Sequence, residues 1–237
     1  MLFRSPGVTH RHLARFFTRA LLSFPETERW FPKGRTEIAG LPIRREFFAV
    51  SAKLRGEPLT VLITGGSQGS RTLNRAAEES WPLWERGRVR LIHQTGPLMY
   101  RELAEKFPAA NVAGEIMEFI ADMPGAFAQA DIVVSRSGMG AVSELAAAGK
   151  PSILVPFPAA SDQHQLRNAE AFERAGAARL VLDQDLTGSR LVDEVMLLAN
   201  HPGLLETMSA AARAFAKPEA AERAADVLEQ VAATSKD

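Results

Sequence analysis

Apolar segments and segments of helical periodicity alternate along the chain from residue 59 onward. Short, β-branched apolar runs predict strands at 59–64, 89–93, 111–114, 131–135, 151–155 and 178–182. The stretches between them predict helices at roughly 70–86, 97–107, 121–129, 140–148 and 162–175, followed by helices alone at about 188–200, 202–215 and 219–234. Strands that alternate with helices form a parallel sheet covered on both faces, because the crossovers are right-handed. The pattern therefore predicts an α/β fold, a doubly wound parallel sheet of the Rossmann-like kind.

Composition and charge exclude several classes of function. The chain of 237 residues carries 28 Lys and Arg against 28 Asp and Glu, and this zero formal charge argues against a nucleic-acid partner. It has no cysteine, which excludes disulfides, thiolate nucleophiles and cysteine-ligated zinc. Residues 1–50 differ from the rest in being basic, with nine Lys and Arg against four Asp and Glu. We therefore expect residues 1–50 to form a piece separate from residues 51–237.

A second helical periodicity lies within this basic part. The segment RHLARFFTRALLSF combines the i, i+3, i+4, i+7, i+8 spacing of an amphipathic helix with a basic stripe of Arg11, Arg15 and Arg19. Its apolar positions are Leu13, Phe16, Phe17, Ala20 and Leu21. Such a helix lies either on an anionic membrane surface or, more commonly, against a domain core with its arginines in water.

The first candidate for ligand chemistry is the stretch VLITGGSQGS, in which a predicted strand runs into a glycine-rich loop. Gly65, Gly66 and Gly69 allow the backbone N–H groups to approach a ligand, and the following helix adds the positive end of its dipole. A phosphate is the ligand that such a loop favours, although an ordinary tight turn would have the same sequence. The spacing is G-G-x-x-G rather than that of a dinucleotide-binding loop, and the next strand ends in LIHQTG without an acidic residue, which disfavours NAD.

A second loop of the same kind follows another predicted strand, in DIVVSRSGMGAVSELAAAGKP. Gly138 and Gly140 open a helix whose first N–H groups can take a phosphate. Glu144 lies one turn further on, where it can accept hydrogen bonds from two ribose hydroxyls or merely complement the helix dipole. Two phosphate-type loops on one sheet predict a diphosphate ligand.

A third group of polar residues opens the helix in PFPAASDQHQLRNAEAF. Asp162 is a candidate N-cap, and His164 is either a surface side chain or part of the site. Gln165 and Asn168 lie three residues apart on one helical face, where neutral amides can bind sugar hydroxyls.

The chain resembles the second half of proteins of the MurG family. Four motifs carry this resemblance: GGSQGS, EFIADM, RSGMGAVSELAAAGKPSILVPFP and DQHQLRNAEAFERAGAA. That family consists of N-acetylglucosaminyltransferases that convert lipid I to lipid II in peptidoglycan synthesis. The resemblance covers almost the whole chain, since residues 6–48 are similar to the segment that joins the two domains of those enzymes. It implies the C-terminal half of a GT-B glycosyltransferase, whose two Rossmann-like domains face a cleft.

The resemblance also implies which residues bind UDP-N-acetylglucosamine. Matched motif by motif, Ile120 would read the uracil edge through its backbone, the second glycine loop would hold phosphate, and Glu144 would hold the ribose. The full set of substrate-binding positions expected here is Arg44, Ser67, Gln68, Ile120, Met139, Gly140, Ala141, Val142, Ser143, Glu144, His164, Gln165 and Asn168, with Gly65, Gly66, Gly69 and Gly138 as phosphate loops. No cofactor and no metal are expected.

Two departures from the family pattern bear on function. Ala141 stands where the family commonly has a hydroxyl residue, so a side-chain contact to phosphate is lost while the backbone donors remain. The family's first domain, with its GGTGGH loop, is missing, so we expect a truncated chain in which residues 1–50 are the remnant of that acceptor domain and its linker. The catalytic base is then expected in the missing domain, and neither His93 nor His164 is assigned that role. The isolated chain is expected to bind donor without transferring sugar.

The resemblance further implies lipid I as acceptor and peripheral attachment to the cytoplasmic face of the bacterial inner membrane, in a process that serves cell shape and division. Two alternatives stay open at this point. One is a UDP-sugar 2-epimerase of similar architecture, for which no acidic and basic pair around the sugar can be identified. The other is a non-catalytic UDP-sugar-binding module that needs a partner chain.

Overall fold

The computed structural model describes residues 8–23, 25–51, 53, 58–110, 112–160 and 163–234. The helices are α1 (Val8–Leu13), α2 (Arg45–Phe48), α3 (Arg71–Ser80), α4 (Tyr100–Lys106), α5 (Met123–Gln129), α6 (Met139–Ala148), α7 (His164–Arg174), α8 (Gly188–Ala199), α9 (Pro202–Phe215) and α10 (Ala220–Thr234). The strands are β1 (Ala20–Leu22), β2 (Thr36–Ile38), β3 (Leu59–Thr64), β4 (Val89–Gln94), β5 (Ala113–Met117), β6 (Ile132–Ser135), β7 (Ser152–Leu154) and β8 (Ala178–Leu180).

The main sheet has six parallel strands in the order β5-β4-β3-β6-β7-β8. This order confirms the predicted doubly wound α/β fold, and each strand overlaps a predicted run. The largest shift is at β5, which was expected at 111–114 and is observed at Ala113–Met117. Because β5 is an edge strand and is partly exposed along its length, its position is set by pairing with β4 rather than by an apolar run.

Two apolar layers cover the sheet, because successive side chains on each strand point to opposite faces. Val61 and Ile63 belong to one cluster, which contains α3 and α8 side chains such as Leu73 and Leu191. Leu62, between them, belongs to the other cluster, with side chains from α5, α6, α7 and α9. All three of these strand residues are fully buried, as a sheet covered by helices on both sides requires.

The N-terminal part forms a small second sheet rather than the expected amphipathic helix. α1 ends at Leu13, a short 3-10 turn follows, and Ala20–Leu22 pairs in parallel with Thr36–Ile38. The helix prediction for residues 11–24 is therefore wrong beyond residue 13 within the described part of this segment, residues 11–23. Ala20 and Leu22 are buried at the two-residue spacing of a strand, and pairing with β2 satisfies backbone groups that a local helix would have satisfied internally.

The predicted division at residue 50 stays a proposal, and the packing crosses that point. Phe47 of α2 is fully buried in the second apolar cluster, where its ring meets that of Phe127 edge to face at 5.2 Å. A second contact across the division at residue 50 is the ion pair between Glu37 and Arg223 of α10. The described helices include none that is both long and apolar enough to cross a membrane.

Strand order reverses between β3 and β6, the first and fourth strands of the main sheet in the chain. Connections leave these two neighbouring strands in opposite directions, so a crevice opens beyond their carboxyl ends. The two glycine-rich loops follow β3 and β6 directly. The topology therefore places both loops at the position where open α/β sheets bind ligands.

Candidate functional site

A cleft of about 570 Å³ lies at the carboxyl ends of β3 and β6. It brings together seven of the predicted site residues: Gly65, Gly66, Gly69, Gly138, Ala141, Glu144 and Gln165. The remaining lining residues are Thr64, Ser70, Arg71, Thr72, Met123, Phe127, Ser135, Arg136, Leu145 and Phe157. The cleft thus joins both glycine loops to one acidic side chain, Glu144, two basic side chains, Arg71 and Arg136, and one amide, Gln165.

The first glycine loop is held against the end of β4. Gly69 has a φ of 73°, and a Cβ added there would lie 1.8 Å from the carbonyl oxygen of Thr95. Gly66 also has a positive φ of 84°, but no atom lies within 4 Å of its Cβ position. Ser70 caps α3 by accepting a hydrogen bond from the Leu73 N–H at 3.3 Å. Gly69 is therefore required by packing, whereas Gly66 leaves open space beside the loop.

The second glycine loop presents an uncapped helix start to the cleft. Gly138 is the N-cap of α6 and makes no side-chain cap, so the first N–H groups of the helix lack an intrahelical acceptor. Cβ atoms at Gly138 and Gly140 would meet nothing within 4 Å. Orphan N–H groups with free space in front of them form the arrangement that accepts phosphate at helix starts.

Arg136, which lines the cleft directly before the second glycine loop, is a basic side chain that was not among the predicted site residues. Its guanidinium donates to Asp183 Oδ1 at 2.5 Å, to Ser70 Oγ at 2.7 Å and to the carbonyls of Val155 and Pro156 at 3.1 and 3.3 Å. These contacts tie the end of β6 to the first loop and to the segment after β7. An arginine directly between a buried strand and a glycine helix start, in SRSG, was the available signal.

Glu144 lines the cleft from the second turn of α6. Burial raises the pKa of its carboxyl above the usual value, and the charge of Arg44 partly opposes that shift. Arg44 stands at the N-cap of α2, with its guanidinium 5.2 Å from the Phe47 ring. Both residues were predicted as part of the site, and the structure brings their charges into interaction range.

The predicted polar residues of α7 brace the second loop. Gln165 Oε1 accepts from the Phe157 N–H at 3.0 Å, and the Gln165 carbonyl accepts from Ser137 Oγ at 2.9 Å. Asn168 is fully buried and donates through Nδ2 to the Ser137 carbonyl at 3.0 Å, while its Oδ1 has no partner among the described residues. Its contact with a sugar stays a prediction. Asp162 lies outside the described residues, and His164 begins α7 without lining the cleft.

Other predicted residues lie around the cleft without lining it. Ser67 and Gln68 are exposed at the tip of the first loop, and Gly140 is exposed in the first turn of α6. Met139 and Ser143 line a separate apolar cavity of about 250 Å³, and Val142 is fully buried in the core. Ile120 is 6% exposed, and its N–H donates to Gln94 Oε1 at 2.8 Å. Among described backbone and side-chain groups, none donates to the Ile120 carbonyl.

His93, weighed as a candidate base, is a structural side chain. It is fully buried, and burial lowers its pKa to about 3, so the ring is neutral at physiological pH. Its Nε2 lies 3.0 Å from Asn74 Oδ1, a contact that makes Nε2 the protonated nitrogen. Within the described part of the chain, no three His, Cys, Asp or Glu residues are grouped to hold a metal.

Comparison with known proteins matches residues 60–226 to the glycosyltransferase family 28 C-terminal domain. The chain belongs to that family. A curated relative from Solibacter usitatus, named UDP-N-acetylglucosamine--N-acetylmuramyl-(pentapeptide) pyrophosphoryl-undecaprenol N-acetylglucosamine transferase, is 58% identical over 96% of this chain. A relative of the same name from Sorangium cellulosum is 40% identical over 94% of the chain. This chain spans 63% and 56% of the lengths of these two relatives.

A solved structure agrees with the family assignment. The crystal structure of MurG from Acinetobacter baumannii has a TM-score of 0.80 and 28% sequence identity, covering 97% of this chain and 66% of that one. The fold is therefore that of the C-terminal Rossmann-like domain of a GT-B glycosyltransferase. In this chain the cleft lies at the point of strand-order reversal, where the two glycine loops meet.

Proposed function

We propose that this family-28 chain provides the donor-binding half of an inverting N-acetylglucosaminyltransferase that transfers sugar from UDP-N-acetylglucosamine to lipid I. The observation that carries the proposal is the single cleft joining two glycine loops, Arg136 and Glu144. The names of the relatives from Solibacter and Sorangium support the donor and the acceptor. The acceptor is a membrane lipid, so we also propose that the enzyme works peripherally at the cytoplasmic face of the bacterial inner membrane.

We propose one orientation of the donor in the cleft. The diphosphate lies between the open side of Gly66 and the start of α6, where orphan N–H groups and the Arg136 guanidinium favour negative charge. Glu144, one turn inside α6, accepts the two ribose hydroxyls. The uracil extends towards the Ile120 carbonyl, which accepts its N3–H. The sugar lies on the side of Gln165.

In the proposed reaction this chain stabilises the leaving group. The acceptor hydroxyl oxygen attacks the anomeric carbon, a base takes its proton, and the bond from that carbon to the β-phosphate oxygen breaks on the opposite face. UDP leaves with the bonding electrons. The helix start after Gly138 and the guanidinium of Arg136 are fixed before the reaction, and they lower the energy of charge that grows on the phosphate. We assign no base among the described residues.

The first test compares nucleotides. Titration calorimetry with UDP and ADP is expected to give a clear preference for UDP, at least about tenfold, since one well-placed hydrogen bond and the fit of the smaller ring each contribute about 1 kcal/mol. The base contact is proposed at Ile120, beside the cleft. Binding of ADP as tightly as UDP would remove uracil recognition from the proposal.

The second test removes the charge of Glu144. Glu144→Gln is expected to weaken UDP binding by about 1.5 to 3 kcal/mol, the range for hydrogen bonds to a charged group. The same variant should be more stable than the parent without ligand at neutral pH. Burial raises the folded-state pKa of Glu144, so its ionised form opposes folding.

The sign of this stability gain depends on pH. The pKa of Glu144 is higher in the folded state than in the unfolded state. Burial of this carboxyl therefore lowers the parent's free energy of unfolding least below the unfolded pKa of 4.5, and the parent loses stability as pH rises through the folded pKa. The gain in Glu144→Gln therefore disappears in acid, as thermal unfolding at several pH values would measure. Glu229→Gln, on the exposed surface of α10, is the matched control and should change neither quantity. Lower stability with unchanged UDP affinity would contradict the ribose role.

A further inference from the structure

Gln94 lies at the carboxyl end of β4 and uses its whole side-chain amide to join neighbouring strand ends. It is 1% exposed. Its Nε2 donates to the Gly66 carbonyl at 2.9 Å and to Thr64 Oγ1 at 3.2 Å, and its Oε1 accepts from the Ile120 N–H at 2.8 Å. Both amide protons and the carbonyl are therefore bonded, the protons to the last residue of β3 and to the turn that follows it, and the carbonyl to the segment after β5.

These bonds connect two segments that the β-ladder does not connect. The backbone pairing of β4 with β5 continues beyond the strands, from Thr95 to Met117 at 2.9 Å and from Gly96 to Glu118 at 3.1 Å. It ends there, before Ile120. Beyond that point, among the hydrogen bonds of the described residues, the Gln94 amide alone links Ile120 to the first glycine loop. A buried amide with all its hydrogen bonds made holds a local geometry strongly, because each partner would otherwise be buried unpaired.

We propose that Gln94 is a positioning residue, which holds the turn at Gly66 and the main chain at Ile120 as one binding surface for a pyrimidine nucleoside diphosphate. The inference rests on the proposed function, in which Gly66 borders the diphosphate and Ile120 the base. The distance between the diphosphate and base ends is then set in the protein before the nucleotide arrives. A ligand that spans both ends binds without ordering either segment, which is the advantage of a preorganised site.

The chemistry of the amide gives a specific test, because a carboxyl can replace it only when protonated. In Gln94→Glu the ionised side chain still accepts from Ile120 but repels the Gly66 carbonyl, whereas the protonated form donates to that carbonyl as the amide does. Burial raises the pKa of such a carboxyl into an accessible range. Its neighbour His93 stays neutral, with a pKa lowered to about 3, and Glu118 on the paired segment is exposed.

UDP affinity is measured by calorimetry for the full chain, Gln94→Glu, Gln94→Leu and the control Gln129→Glu, which makes the same charge change on an exposed residue of α5. Each variant is compared with the parent at the same pH, so that titration of UDP and of Glu144 cancels. We expect Gln94→Glu to bind about thirtyfold more weakly at about pH 8 and within about threefold of the parent at about pH 5.5. Gln94→Leu should be weak at both values, and Gln129→Glu should match the parent at both.

Two results would overturn the inference. One is a Gln94→Glu affinity within about twofold of the parent at both pH values. The other is equal weakening at both values together with a lower melting temperature, which a packing role alone would produce. Hydrogen exchange of the Ile120 amide without ligand separates this inference from the proposed function. If the parent does not bind UDP, the proposed function fails, and the exchange rate of the Ile120 amide then tests the role of Gln94 by itself. Exchange at least about tenfold faster in Gln94→Leu than in the parent supports the positioning role, and an unchanged exchange rate overturns it.

Discussion

Replacing Gly69 with alanine is expected to lower the free energy of unfolding by about 3 kcal/mol or more, the largest stability loss we predict for the glycine loops. Gly69 has a φ of 73°, and a Cβ there would lie 1.8 Å from the Thr95 carbonyl oxygen and 2.7 Å from its carbon. Both contacts are with backbone, which cannot rotate away. The loop and the end of β4 must separate to admit the methyl group, so UDP binding should fall as well.

Gly66→Ala is the matched control for Gly69→Ala, because it imposes the same kind of backbone strain without a collision. Gly66 has a φ of 84°, and nothing lies within 4 Å of its Cβ position. Its substitution should cost only about 1 to 2 kcal/mol, the penalty of a left-handed conformation for a residue with a Cβ. Urea denaturation of the two variants measures the difference. Equal losses at both positions would show that the contact with Thr95 does not hold the loop.

Arg136→Met is expected to destabilise the chain by about 2 to 3 kcal/mol and to weaken UDP binding at least tenfold, because a partly buried carboxylate loses its ionic partner beside the phosphate site. The pair with Asp183 is 2.5 Å long, with side-chain exposures of 13% and 19%. The expected loss of stability is smaller than for an ion pair fully enclosed in the core, because water in the cleft can reach the Asp183 carboxylate. Asp183 keeps one donor, Thr72 Oγ1, at 3.1 Å.

Two further variants separate charge from geometry in this prediction. Arg136→Lys keeps the charge but cannot span Asp183, Ser70 and two carbonyls, so it should recover only part of the stability. Adding Asp183→Asn to Arg136→Met should restore stability but not UDP affinity, since it removes only the unpaired charge. Arg101→Met, on a side chain that is 93% exposed, should change stability by less than about 0.5 kcal/mol. Full UDP affinity in Arg136→Met would contradict the phosphate role.

The local pattern of apolar residues was sufficient to predict the strands that are buried on both faces. The runs Leu59–Thr64 and Ile132–Ser135 were predictable because both faces of a central parallel strand are apolar. Pattern was insufficient where a segment depends on a distant partner. Residues 13–22 have helical spacing, yet Ala20–Leu22 forms a strand with Thr36–Ile38. The spacing of apolar residues indicates which side chains are buried. It does not indicate which backbone groups form hydrogen bonds with each other.

The same distinction applies to the candidate site. Gly65, Gly138 and Glu144 were predictable because glycines and a carboxylate at a strand-to-helix junction have a local physical reason to be there. Arg136, which lines the cleft, and Gln94, which we propose as a positioning residue, were not predicted, because their partners are remote in the chain. Arg136 contacts Asp183, 47 residues away, and Gln94 contacts Gly66, 28 residues away.

By itself, the sequence determined the α/β class, the six main strands and the two loops suited to phosphate, since these follow from burial pattern and from the backbone freedom of glycine. Only the tertiary structure decided that the loops meet in one cleft, because that depends on the strand order, which reverses between β3 and β6. It also decided the roles of polar side chains. His93 lies near the carboxyl end of β4, a position that suits ligand contact, yet it is fully buried and bonded to Asn74 of α3. A polar side chain is assigned to ligand or scaffold by the partner that satisfies it, and that partner is chosen by the fold.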